Sequence, residues 1–326
     1  RGKSPLACPL LVSMFATPYL FYLSEVRVRL LSYLCFISVA CVMSVGCKGP
    51  TQSSDEEPVE PVAADVTDAG STEVVDQKKS MDEEAPAAGM KRMDTLTLPD
   101  GEVSLVVLEH GSFVLEDKDF KIYVDPVSSA LAYDGTQAEV EKPRMILLTD
   151  IHGDHMDVEA VKSLTTDKTV IVAPQAVVDK AEGALDAAIV MANGDEKSVF
   201  DDTVKLLATP MYNLKRTPEG SDTPFHVKGR GNGYILSLYG GKVYISGDTE
   251  CTPEMKALTD IDVAFLTMNL PYTMPVEEAA ECIREFKPGV LYPFHYRGQD
   301  PSKLEALLAD VSDVNVKLLE WYPEAK

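Results

Sequence analysis

A two-sheet α/β sandwich is the fold class that this 326-residue sequence predicts. Two observations point to it. There are two β-rich stretches, residues 104–125 and 204–246, and each is followed by strands alternating with helical segments. The strands in the alternating parts are continuous apolar runs, the pattern of strands covered on both faces. Two sheets face to face with helices outside bury both kinds of strand at once.

The chain begins with segments that lie outside this fold. Residues 26–47, VRVRLLSYLCFISVACVMSVGC, join a basic start at Arg27 and Arg29 to an apolar run of secretory length, then small residues and a cysteine. The run is short for a membrane-spanning helix. It resembles a bacterial lipoprotein signal with Ser44-Val45-Gly46-Cys47 as its lipobox, Ser44 standing where leucine is preferred. That resemblance implies cleavage before Cys47 and a lipid on its thiol, hence a signal region over 1–47 and a cell-envelope location. Lys48, where inner-membrane lipoproteins commonly carry aspartate, directs the expectation to the outer membrane, facing the periplasm. An uncleaved anchor is the alternative, and both readings tether the chain. The arginine at position 1 and the proportions of a signal beginning at Val26 suggest a translation start downstream of residue 1.

Residues 48–94 carry 12 acidic and five basic side chains and almost no large apolar ones, so burial cannot offset their ordering entropy. A disordered acidic linker is expected there, with one folded domain over 95–326. The whole chain has 30 Lys and Arg against 52 Asp and Glu, a net charge of −22 that repels phosphate backbones, so no nucleic-acid partner is expected. Four of the six cysteines precede residue 48, and the other two, Cys251 and Cys282, read as buried thiols.

Within the domain, Ser104–His110, Phe113–Glu116 and Phe120–Asp125 read as strands, with Gly111-Ser112 as the first turn. Arg144–Thr149 is a buried strand running into a polar loop, and Asp157 is placed to cap a helix whose apolar positions are Val158, Val161 and Leu164. Thr169–Ala173 is a second buried strand before a helix from about Gln175. Val204–Thr209, Tyr234–Tyr239 and Lys242–Ser246 open the second half, with Gly240-Gly241 as a hairpin turn. Asp262–Thr267, a helix after Pro275, and Val290–Phe294 return to alternation.

Chemistry collects at the strand ends. Asp150-Ile151-His152-Gly153-Asp154-His155 puts four metal-donor side chains within six residues. Only five histidines occur, and two of them are in this loop. His295 ends another strand, and Asp248 follows a third in Ser246-Gly247-Asp248-Thr249. Each alone would be an ordinary polar residue; together at strand ends they define a shared metal site. Such a site lowers the pKa of water and polarises carbonyl or phosphoryl oxygens; of its catalytic carboxylates Asp248 would bridge, and either Asp154 or Asp150 could move a proton. No Gly-x-Ser-x-Gly nucleophile elbow competes.

The ordered segments His110-Gly111-Ser112, Val124-Asp125-Pro126, Thr149–His155, Ser246–Thr249 and Phe294-His295-Tyr296 resemble the metallo-β-lactamase-fold hydrolases, particularly the ascorbate-phosphate lactonase-like branch. The resemblance spans residues 97–323 and implies an αββα sandwich with one or two divalent ions, Zn, Mn or Fe, at one edge. It carries ligand roles to His152, Asp154, His155, the bridging Asp248 and His295. Asp154, His155, Asp248 and His295 complete one position. The other has Asp150 where the family has histidine, and it lacks the histidine expected after the strand ending near Thr209. Either Asn213 supplies an oxygen, or the loop folds back and brings His226, or one metal binds. Asp150 in place of histidine hardens the set toward Mn or Fe.

For the substrate, a small molecule, the candidates are Arg297, two residues beyond His295, together with His110 and Asn213. Lys228 and Arg230, in a glycine-rich loop, either recognise an anion or are solvated turn charges. Residues 268–273 follow a strand end and either line the pocket or form a plain turn. The function that emerges is metal-dependent hydrolysis of an ester, lactone or phosphodiester. The alternatives are a non-catalytic metal- or ligand-binding lipoprotein and, less favoured, a β-lactamase.

Overall fold

The computed structural model describes residues 92–133 and 142–322. The signal region, Cys47 and most of the acidic linker lie outside the described residues. Among the described residues no helix is long and apolar enough to cross a membrane.

The first sheet is built in chain order from β1 (Met93–Leu98), β2 (Gly101–Glu109), β3 (Ser112–Glu116) and β4 (Lys121–Val124), then α1 (Ser128–Tyr133), β5 (Met145–Leu147), α2 (Val158–Leu164), β6 (Val170–Ala173), α3 (Gln175–Lys180) and β7 (Ile189–Val190). Its strands run antiparallel from β1 to β4 and parallel from β4 to β7. The second sheet repeats the plan with β8 (Glu196–Val199), β9 (Val204–Met211), β10 (Gly231–Leu238), β11 (Gly241–Ile245), α4 (Pro253–Lys256), β12 (Val263–Thr267), α5 (Val276–Phe286), β13 (Val290–Phe294), α6 (Lys303–Leu307) and β14 (Asn315–Val316). It is antiparallel from β8 to β11 and parallel from β11 to β14. The expected αββα sandwich is therefore the architecture found.

Three apolar clusters define its layers. The central one lies between the sheets and stacks Phe113 on Phe265 at 4.5 Å between centroids, with Trp321 edge-on to Phe113 at 5.8 Å. The outer clusters join each sheet to its own helices, through Val161, Leu164 and Val177 on one side and Ala279, Ile283 and Phe286 on the other. Asp157 caps α2 as expected, its carboxylate accepting from the amides of Glu159 and Ala160.

Several expectations move. Both turns shift by one residue: Glu109 pairs with Ser112, so His110-Gly111 makes the first turn, and Leu238 pairs with Gly241, so Tyr239-Gly240 makes the hairpin. Tyr239 and Gly240 have φ of 47° and 70°, the left-handed conformation that a tight hairpin takes in both central positions. Ordered strand begins at Met93, inside the stretch read as linker, because Asp94 accepts from Tyr292 Oη at 2.7 Å and Lys317 Nζ at 2.8 Å and so ties the first sheet's edge to the second sheet. Cys251 and Cys282 are bonded as a disulfide rather than standing as thiols.

Candidate metal centre

Strand ends at one edge of the sandwich deliver the polar residues. Asp125 follows β4, the 149–155 loop follows β5, Asp248 follows β11 and His295 follows β13, while His110 sits in the β2–β3 turn. His110, Asp125 and His295 hold φ of 55°, 44° and 48°, a conformation side chains seldom adopt. Gly111 lies directly under the cluster; a Cβ there would meet His295 Cδ2 at 3.0 Å and His155 Cε1 at 3.4 Å. A side chain there would have to push the imidazoles back by a few tenths of an ångström.

Asp248 Oδ2 stands 3.4 Å from both His155 Nε2 and His226 Nε2. On one side, Asp248 Oδ1 is 3.5 Å from His295 Nδ1, and His295 Nε2 is 3.3 Å from Asp154 Oδ2. On the other, Asp150 Oδ2 is 2.6 Å from His152 Nδ1 and 3.9 Å from His226 Nε2. The donors thus form two groups meeting at one carboxylate oxygen, and the loop does fold back to bring His226 in.

Asn213, one of the alternatives for the second position and a candidate substrate contact, stands behind His226. It is buried, and its Oδ1 accepts from His226 Nδ1 at 2.6 Å and from the His226 amide at 2.9 Å, while its Nδ2 donates to the Tyr272 carbonyl. Asp125, given no role from sequence, does the same for His155: its Oδ2 is 2.8 Å from Nδ1 and also accepts from Thr149 Oγ1. With both Nδ1 atoms fixed, His155 Nε2 and His226 Nε2 are turned inward, buried and without a hydrogen-bond partner among the described residues. Orphaned imidazole nitrogens facing carboxylates, each held by a polar group behind, fit a divalent cation.

The same groups also hold one another's charges. Burial alone would raise the Asp248 carboxyl, yet the neighbouring His295 and His155 hold it well below the usual range. Burial would lower His155, but Asp248 and Asp125 raise it well above the ordinary imidazole value. Burial brings His110 down to about 4, against the opposing pull of Asp154, so its ring is neutral near pH 7. The tautomer satisfying its contacts has Nε2–H donating to Asp154 Oδ2 at 3.1 Å and Nδ1 accepting from Tyr322 Oη at 2.6 Å.

Two further partners were invisible in sequence. Arg230 places Nε 3.2 Å from Asp150 Oδ1 and a terminal nitrogen 3.2 Å from Oδ2, so this guanidinium serves an internal carboxylate and not an outside anion. Lys228 is likewise paired, with Glu254. Glu250 is buried and accepts from the amides of Leu214, Lys215 and Arg216, pinning the start of the loop that ends in His226. A cavity of about 520 Å³ opens over the donors, walled by Phe225, Leu270, Pro271 and Tyr272 and edged by His110, Asn269 and Arg297.

Residues 104–295 match the family model described as the β-lactamase superfamily domain. A UPF0173 metal-dependent hydrolase of Pyrococcus furiosus is 30% identical over 230 residues, 65% of this chain and 95% of that one. A solved structure from Parabacteroides distasonis, described as a candidate metal-dependent hydrolase, is 38% identical with a TM-score of 0.63, covering 71% of this chain and all of that one. A metallo hydrolase of Ignicoccus hospitalis shares the fold at a TM-score of 0.56 and 21% identity, over 69% of this chain and 99% of that one. The chain belongs to the β-lactamase superfamily, among its UPF0173 metal-dependent hydrolases.

Proposed function

We propose that this hydrolase cleaves an ester, lactone or phosphodiester with one or two divalent ions, zinc, manganese or iron, held by His155, Asp248, His295 and Asp154 in one half-site and by His152, His226 and Asp248 in the other. The observation that carries the reading is Asp248 Oδ2 lying 3.4 Å from an orphaned imidazole nitrogen of each half. A cation in that position lowers the pKa of water and polarises a carbonyl or phosphoryl oxygen. Asp154 Oδ2 is shared by His110 and His295, and its Oδ1 stands 3.9 Å from His155 Nε2, so these imidazoles keep the carboxylate ionised at the cavity. Asp150 has both oxygens engaged by Arg230 and His152, so it balances charge in its half-site and is not the base. The test is elemental analysis of purified protein together with turnover of generic ester, lactone and phosphodiester substrates. Tightly held metal with no turnover across that panel would favour the non-catalytic binding lipoprotein.

The same proposal places the domain in the cell envelope, held by lipid on Cys47. The lipobox-like sequence supports this, and so does the Cys251–Cys282 disulfide, since such bonds persist in oxidising compartments. Membrane fractionation of wild type and Cys47→Ala decides it. Retention of the alanine variant in a salt-washed membrane pellet would make an uncleaved anchor the better reading.

A further inference from the structure

Six arginines are found among the described residues, and five of them donate their guanidinium to protein acceptors: Arg92, Arg144, Arg216, Arg230 and Arg284. Arg297 differs. Its backbone amide donates to Tyr322 Oη at 2.9 Å, and its guanidinium carbon stands 5.4 Å from the Tyr322 ring centroid, with no carboxylate within ion-pair distance among the described residues. In a chain with 22 more acidic than basic groups, a guanidinium without an acidic partner needs a reason.

Its position supplies one. Arg297 edges the cavity over the metal donors and also a second, polar groove of about 340 Å³ that shares His110 and Asp154 with it. The same cavity has apolar lining. Leu270 and Tyr272 are 43% and 47% exposed, among the few large apolar side chains left in water, and Phe225 meets Tyr272 edge-on at 5.1 Å. The wall is firmly placed, because the Tyr272 carbonyl accepts from Asn213, the residue that also orients His226. A cavity lined by ligating groups, by aromatic and aliphatic side chains and by an arginine without an acidic partner among the described residues is built for an amphipathic anion.

Resting on the hydrolase reading above, we propose that the substrate is an organic anion. Its carboxylate or phosphate lies on Arg297, and an apolar portion packs against Phe225, Leu270 and Tyr272. Arg297 acts in specificity: it holds the anionic group beside the floor of the site while the bond to be cleaved faces Asp154 and Asp248. The binding of simple analogues tests this separately from turnover. 4-Phenylbutyrate, 3-phenylpropylphosphonate and the neutral 4-phenylbutyramide are titrated calorimetrically into metal-loaded wild type, Arg297→Gln, Arg297→Lys and Tyr272→Ser.

The expected result is about tenfold weaker binding of at least one anion to Arg297→Gln, in the range of a single charged hydrogen bond, with the amide unchanged and Arg297→Lys intermediate. The anion losing more identifies the group read. Tyr272→Ser should weaken all three probes alike. Equal affinity of wild type for anions and amide, or an equal loss of all three in Arg297→Gln, overturns the proposal. If the binding pattern holds while no ester, lactone or phosphodiester is turned over, the hydrolase reading fails and the anion site stands.

Discussion

The two halves of the metal centre share Asp248 but are built in different ways. The half with Asp154, His155 and His295 draws its ligands from strand ends above the stacked aromatic core, and a buried carboxylate, Asp125, fixes His155 from behind. The half with Asp150, His152 and His226 depends on a long return from β9. Asn213 and Glu250 hold that return, a neutral amide fixes its histidine, and an arginine occupies its carboxylate. Both halves take donors from the 149–155 loop; the first adds Asp248 and His295 from strand ends and is fixed by a charged acceptor, while the second adds His226 from the return and is fixed by a neutral amide.

The largest effect should come from breaking what the halves share. Asp248→Ala should leave little bound metal and lower turnover roughly a thousandfold, the rate equivalent of several kcal/mol of charge stabilisation. Elemental analysis beside kinetics is the check. Full metal occupancy in the variant would remove Asp248 from the centre.

Separating the halves comes next. His226→Ala should lose about one metal equivalent, and His155→Ala should lose the metal of the other half, because each removes a donor from a three- or four-ligand position. If His226→Ala kept wild-type stoichiometry and turnover, His226 would be excluded as a ligand. Arg230→Met should destabilise the fold by about 3 kcal/mol by leaving Asp150 buried without its guanidinium. The double variant Arg230→Met with Asp150→His should recover most of that loss and bind the second ion more tightly, as read by denaturant unfolding and metal titration. A double variant no more stable than the single one would show that the pair is not the reason Asp150 is tolerated.

The orienting residues sharpen the comparison at a smaller scale. Asp125→Ala and Asn213→Ala should each weaken metal affinity by about 10- to 100-fold, with Asp125→Ala at the upper end because a charged acceptor is lost. Competition with a chelator measures both, and a larger loss in Asn213→Ala would reverse the ranking of the two halves.

The smallest effect lies far from the metal. The lysine and tyrosine hydrogen bonds outweigh burial at Asp94 and hold its carboxyl below the ordinary value. A depressed folded-state value means that this stabilisation is present above about pH 4 and disappears as pH falls through the folded-state value. Asp94→Asn should therefore cost no more than about 1 kcal/mol at pH 7 and nothing once the carboxylate is protonated. A cost that persisted unchanged in acid would assign the effect to packing.

Much of this was legible in the chain itself. Apolar runs such as 144–149 and 290–294 marked strands because a strand covered on both faces has no reason to alternate, and Asp157 marked a helix start because its carboxylate is the acceptor that the first amides need. Metal donors stood out because they fell where such runs ended. Turns were misplaced by one residue, since a glycine pair marks a bend without saying which of its members faces a strand partner. The two-residue strands β7 and β14 carry too few side chains to show any period.

What sequence alone determined was therefore local: the apolar pattern that makes the sandwich, and the donors grouped at strand ends. Tertiary structure decided every pairing across distance. Asn213 and His226 were both candidates for the second position, and only the fold of the loop between them turned one into the other's support. Arg230 and Asp150 are 80 residues apart, and no spacing rule predicts that a loop cation will neutralise this aspartate of the donor loop. The physical reason is the same in each case. A donor's chemistry belongs to its side chain, but which of its atoms remains free depends on what the folded chain has placed behind it.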